Sequence, residues 1–168
     1  MGLDQYLYLE KYESECEWKQ TKCEYPNELK ELGEKIYKRD FKIKLTKYLV
    51  GYWRKFYALQ DYIEKKSSEE ATARGCYLEL EDIEELLENL KIITKEMNEN
   101  KIDDELYYSP KAYELFPPSN WYTAWKVDKE KCVDEWYKRD VEYTIELLED
   151  VLQTAKTYDY DILYRASW

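Results

Sequence analysis

The chain has no histidine among its 168 residues. That removes the commonest general base and every Ser-His or Cys-His nucleophile pair. Only four glycines are present, and no Gly-x-Gly-x-x-Gly or other phosphate-cradling loop occurs. The four cysteines, Cys16, Cys23, Cys76 and Cys132, are scattered, with no Cys-x-x-Cys pair. The usual zinc spacings are therefore missing, and reduced structural thiols are expected, with no metal and no cofactor. No apolar run approaches the ~18 residues of a membrane-spanning helix. The first residues lack the basic start and apolar stretch of a secretory signal. Gly2 is placed for myristoylation, but Tyr6 stands where that signal wants Ser or Thr. A cytoplasmic protein that does not engage membranes is the expectation.

What is present is unusual. The sequence carries 19 Tyr and 6 Trp against 3 Phe. Tyr and Trp give large contact areas while keeping a polar tip, so they serve half-wet cores as well as binding surfaces. A hydrophobic share of 44% over this length is enough for one domain spanning residues 1–168 with its own core. Against 26 basic residues stand 37 acidic ones, a net charge of −11. So acidic a chain is repelled by nucleic acid and by anionic membranes unless a local basic patch overrides the total. It suits a basic partner, including the nucleic-acid channel of another protein, and it also serves simple solubility. Carboxylates could act as a catalytic pair, but with 37 available spacing singles out none, and nothing calls for an enzyme.

Periodicity predicts an α+β domain with three to four helices on a short antiparallel sheet. Residues 6–12, short and aromatic, and 41–47, alternately apolar and polar, read as strands. Helical spacing follows Asn27 through Leu29, Leu32 and Ile36, and again from Tyr52 to Lys66 through Trp53, Phe56, Tyr57, Gln60 and Ile63. Residues 67–75 read as a loop and 76–80 as a short strand. The clearest helix comes next, with Asp82 and Glu85 as a capping box and Ile83, Leu86, Leu87, Leu90, Ile93 and Met97 as its apolar stripe. Prolines make 98–118 irregular. A strand over 121–127, a long helix over 131–155 and a last strand over 160–164 complete the predicted order.

Two local features could carry function. Residues 41–66 hold seven basic and two acidic residues, whereas 69–105 hold four basic and thirteen acidic. Either the two segments neutralise each other, or Glu79, Glu81, Asp82, Glu84, Glu85 and Glu88 form an exposed acidic face that binds a partner. The second feature is Tyr52-Trp53-Arg54-Lys55, where two rings beside two cations could stack on a planar ligand and hold its anionic group. Arg165, in the closing Tyr164-Arg165-Ala166-Ser167-Trp168, is a further candidate. The alternative is that Trp53 packs in the core and Arg54 pairs with an acid such as Asp4.

The opening Met1-Gly2-Leu3-Asp4-Gln5-Tyr6-Leu7, the central Tyr52-Trp53-Arg54-Lys55 and the closing segment together resemble a family of short phage and prophage proteins. Members of that family open Met-Gly-Leu-Asp-Met-Tyr-Leu, carry Tyr-Trp-Arg-Lys-Ala-Asn centrally and end Ser-Ser-Trp. Asp140-Val141-Glu142-Tyr143-Thr144-Ile145-Glu146 is similar to the family's acidic final helix. Gln5 replaces a Met of the pattern, Phe56-Tyr57 replace Ala-Asn, and Gln60 stands where the family often has His. The resemblance implies a bacteriophage setting and supplies no mechanism. In that setting there are two expectations. One is a phage-encoded inhibitor of a host defence protein or complex such as a CRISPR effector, acting through the acidic face. The other is a binder that sequesters a nucleotide at Tyr52, Trp53, Arg54, Lys55 and Arg165.

Overall fold

Strand β1 (Asp4–Ser14) opens the fold, and burial alternates along it as far as Leu9. Leu3, Gln5, Leu7 and Leu9 are buried, while Asp4, Tyr6 and Tyr8 between them are half-buried on the opposite face. The structure is a computed structural model that describes residues 2–14, 43–67, 69–118 and 131–167. The helix expected after Asn27 and the strand expected over 121–127 lie outside the described residues. The chain divides into two compact units, Met1–Leu9 with Tyr48–Trp168, and Glu10–Lys47. Within the second, Lys47 pairs at 2.6 Å with the buried carboxylate of Glu10. Every helix among the described residues belongs to the first.

β2 (Ile43–Arg54), β3 (Cys76–Leu78) and β6 (Asp161–Ser167) join β1 in a four-stranded antiparallel sheet, ordered β2-β1-β6-β3. Cys76 lies opposite Tyr164 and Leu78 opposite Ile162. The strand expected over 41–47 thus runs on to Arg54, through residues that fitted a helical spacing. Trp53 is buried while Tyr52 and Arg54 are exposed, which is the two-residue period of a strand. The chain leaves the sheet at Lys55, whose φ of 62° puts it in the left-handed region. Helix α1 therefore starts at Tyr57 and not at Tyr52, and ends at Lys66.

Residues 67–75 are not simply a loop: Glu69–Arg74 form the short helix α2, which Gly75 ends at φ 106°. Helix α3 (Leu80–Glu99) buries the six apolar residues of its stripe. Its N-cap is Glu79, without a side-chain bond; Asp82 lies inside the first turn and bonds Lys66 instead. Glu81 and Asp82 still suit the positive end of the helix dipole.

The proline-rich stretch is ordered by its neighbours. β4 (Leu106–Tyr108) pairs antiparallel with β5 (Cys132–Asp134). Pro110 opens helix α4 (Pro110–Leu115) at a position where its missing N–H is not needed. Ser109 caps that helix, accepting from the Ala112 amide at 3.2 Å and donating to Glu96 at 2.6 Å. Helix α5 (Glu135–Tyr158) is capped by Asp134, which accepts from the Tyr137 amide at 2.9 Å.

Helices α3 and α5 pack against each other, and α5 also meets the sheet at Gly51, where an added Cβ would collide with Leu147. Phe56, Phe116 and Tyr137 form an aromatic triangle with centroids 5.6–6.3 Å apart. Buried tyrosines bring their hydroxyls to acceptors: Tyr137 to the Phe116 carbonyl at 2.6 Å, Tyr164 to Gln60 at 2.6 Å, and Tyr107 to Glu135 at 2.5 Å. Tyrosine thus fills these core positions because a partner waits for each phenol.

Candidate functional site

The outer face of the sheet collects residues that the strand period sends away from the core. Tyr6 and Tyr8 on β1 stack with centroids 6.3 Å apart, and Tyr6 meets Tyr52 on β2 at 5.5 Å. The Tyr52 hydroxyl donates to Asp4 at 2.6 Å. That bond, more than burial or charge, raises the phenol above its ordinary pKa, so the proton stays on oxygen. Arg54 follows Tyr52 by two residues and shares its face. Arg165 lies between Tyr164 and Ala166, both buried on the core side with Gln5, so it too projects outward. Both guanidinium groups are exposed, and neither has a carboxylate partner among the described residues.

Of the aromatic-basic cluster expected from sequence, the structure therefore brings Tyr52, Arg54 and Arg165 to one face. Trp53 is elsewhere: 4% exposed, it donates its indole N–H to Thr144 at 2.9 Å and meets the Tyr143 ring edge-on. Lys55 occupies the left-handed turn, its amide bonded to the Leu3 carbonyl at 2.8 Å. Sequence reasoning placed Tyr6 and Tyr8 on a strand without linking them to this cluster. The signal was their alternation with Leu3, Gln5, Leu7 and Leu9.

The acidic set lies along α3 and just before it. Glu79, Glu81, Glu84, Glu85 and Glu88 are spread over this surface with Asp82; all are exposed except Asp82, which is half-buried. Lys66 bridges Asp82 at 3.0 Å and Glu85 at 2.8 Å, and these bonds lift its pKa well above the usual range. Lys156 pairs with Glu84. Glu79, Glu81 and Glu88 keep no cationic partner among the described residues. Beside them Glu84, Leu87, Glu88, Lys91, Ile92 and Lys95 line a shallow groove in which Ile92 is 42% exposed.

Two further features had no counterpart in the sequence reading. Asp103, Glu105, Leu106, Asp134, Glu135, Trp136 and Arg139 line a cleft, with Arg139 stacked 4.1 Å over the exposed Trp136 ring. Asp140 faces a second, smaller cleft with Phe56, Tyr57 and Tyr137; burial pushes its carboxyl up to about 6. Among the described residues no group of three or more Cys, Asp or Glu is placed to hold a metal ion, and no helix is long and apolar enough to cross a membrane. No family model, curated protein or solved structure matches the chain.

Proposed function

We propose that the chain is a phage-encoded interaction protein that binds and inhibits a host defence protein or complex in the cytoplasm of a bacterial host, acting by occupancy and not by catalysis. The observation that carries this reading is the outer surface of α3. There Glu79, Glu81 and Glu88 stand without cationic partners among the described residues, beside an apolar groove at Leu87 and Ile92. The groove carries Lys91 and Lys95 as well as Glu84 and Glu88, so the single-signed charge that would draw a basic partner is that of the unpaired acids Glu79, Glu81 and Glu88, with the apolar groove beside them. The net charge of −11 adds a long-range attraction toward any basic nucleic-acid channel. The resemblance to short phage proteins supplies the setting. Because Lys66 and Lys156 already engage Asp82, Glu84 and Glu85, the recognition falls to the unpaired acids.

The test is binding of the purified chain to a CRISPR effector, with and without guide RNA, at low and high salt. Affinity falls with salt, and the triple reversal Glu79→Lys, Glu81→Lys, Glu88→Lys abolishes it, while reversing Glu84 alone has a smaller effect. Binding that ignores both salt and the triple reversal rules out this surface.

A further inference from the structure

We propose that the outer face of the four-stranded sheet is a binding site for a purine mononucleotide, with Tyr52 and Tyr6 receiving the base and Arg54 and Arg165 holding the phosphate. This site is separate from the acidic surface of α3 and stands or falls independently of it.

Lys66, Lys91, Lys101, Lys111, Lys138 and Lys156 are held in ion pairs, whereas the exposed Lys55, Lys65, Lys95, Lys131 and Arg139 are in none among the described residues. Arg54 and Arg165 also have no ion pair among the described residues, and they differ from those cations in being two guanidiniums on the sheet face that carries Tyr52. Asp4, which shares their face near Tyr52, already accepts the Tyr52 hydroxyl at 2.6 Å. Two guanidiniums against the single Asp4 carboxylate leave a net positive charge on this face, and guanidinium is the side chain suited to bidentate phosphate bonds.

The rings supply the other half of the site. Tyr52 is 45% exposed, yet it is held in place by the Asp4 bond and by Tyr6 at 5.5 Å. A fixed, half-exposed ring costs little ordering when a base stacks on it. Tyr8 stacks behind Tyr6 and extends the platform. Stacking tyrosines beside exposed arginines combine on one sheet face the two elements by which proteins hold nucleotides. The excess of negative charge elsewhere limits the occupant to a short one. Each phosphate that a longer strand added beyond the two arginines would meet acidic surface.

The test uses AMP and GMP as probes, titrated against the full chain and followed by amide and tyrosine-ring chemical shifts. Saturable binding is expected, with shifts concentrated at Tyr6, Tyr52, Arg54 and Arg165. Arg54→Ala and Arg165→Ala each weaken it about tenfold or more. Tyr52→Leu weakens it about tenfold, whereas Tyr52→Phe, which keeps the ring, stays within about threefold. These side chains are exposed, so the variants fold; should one fail to, the other arginine variant gives the same reading. The proposal is overturned if neither nucleotide saturates, if inorganic phosphate competes as well as AMP does, if the arginine variants bind like the parent, or if a deoxythymidine oligomer binds more tightly than the mononucleotides.

Discussion

Gln5 donates from Nε2 to the hydroxyl of Tyr164 at 2.8 Å, a buried bond between residues 159 apart in the chain. The same hydroxyl donates to Gln60 at 2.6 Å, and Gln60 in turn reaches Thr72 at 2.9 Å and Glu64 at 2.5 Å. Gln5 also brackets Phe56, accepting from its amide at 3.0 Å and donating to its carbonyl at 3.1 Å. One relay therefore ties β1 and β6 to α1 and α2, and it holds the residue at which the chain turns from β2 into α1. Gln5 and Gln60 lie on different elements, β1 and α1. They meet at a single oxygen.

Tyr164→Phe removes that oxygen while keeping the ring. Gln60 then loses its buried donor and Gln5 loses one acceptor, at a cost of about 1–3 kcal/mol. Gln5→Met costs a similar amount, because the Phe56 amide is left buried without a partner. The urea midpoints of the two variants fall with unchanged slopes. In the double variant the losses add to less than their sum, because both act on one network. Full additivity would show that the relay does not act as a unit.

Elements whose period extends over several turns were legible in the sequence. The stripe of α3, from Ile83 to Met97, is buried residue for residue, and β1, β3 and β6 occur where strands were expected; α5 fills most of the span expected as a long helix, but residues 132–134, expected as its first turn, form β5 instead. Short elements set by distant contacts were not. Trp53, Phe56, Tyr57, Gln60 and Ile63 satisfy a helical spacing, but Tyr52, Trp53 and Arg54 also satisfy a strand period, and only Gln5 and the left-handed Lys55 decide where one gives way to the other. Helix α2 is tied down by Thr72 bonding Gln60, and β4 by a partner strand in another part of the chain. The candidate sites divide the same way. That Tyr52 and Arg54 share a face follows from spacing; that Tyr6 and Arg165 join them requires the strand order. The lysines that engage Asp82, Glu84 and Glu85 come from α1 and α5, beyond the reach of any local pattern.

Gly51 is fixed by closeness and not by backbone angle. A Cβ there would collide with Leu147 Cδ2 and lie 3.2 Å from both Leu7 Cβ and Trp53 Cη2. Gly51→Ala is expected to cost about 1–3 kcal/mol through overpacking between β2 and α5. Leu147→Ala frees the nearest of these contacts, so the double variant is more stable than the two single losses predict. Strict additivity in thermal unfolding would mean that α5 does not approach Gly51 this closely.

Asp159 ends α5 at φ 58°, ψ 58°, the conformation glycine adopts without penalty at a helix C-terminus. Its carboxylate also sits at the negative end of the helix dipole. Asp159→Gly should therefore raise stability by about 0.5–1 kcal/mol, net of the extra freedom glycine gives the unfolded chain. Asp159→Asn removes the charge but keeps the strain, so it gains only about 0.3 kcal/mol. A melting temperature that rises equally for both would assign the whole effect to charge.

Asp140 predicts a pH dependence of opposite sign to that of an ordinary ion-paired carboxylate. Burial beside Phe56, Tyr57 and Tyr137 raises its pKa to about 6; Asp134 adds to the rise and Arg139 opposes it. In the unfolded chain the same carboxyl titrates near about 3.9. Between those two values the folded state keeps a proton that the unfolded state has released, so this group's contribution to stability falls as pH rises. Below about pH 4 both states are protonated and there is no penalty; above about pH 6 both are ionised and the burial of the charge is fully felt. Asp140→Asn removes the titration while keeping the shape of the side chain. The variant is therefore more stable than the parent at neutral pH, and the difference shrinks steadily as the pH is lowered through this window. Urea midpoints of the two proteins measured side by side cancel the titration of every other carboxylate. A difference that stays constant with pH would show that Asp140 ionises in the folded protein as it does in the unfolded chain, and that its cleft is open to water.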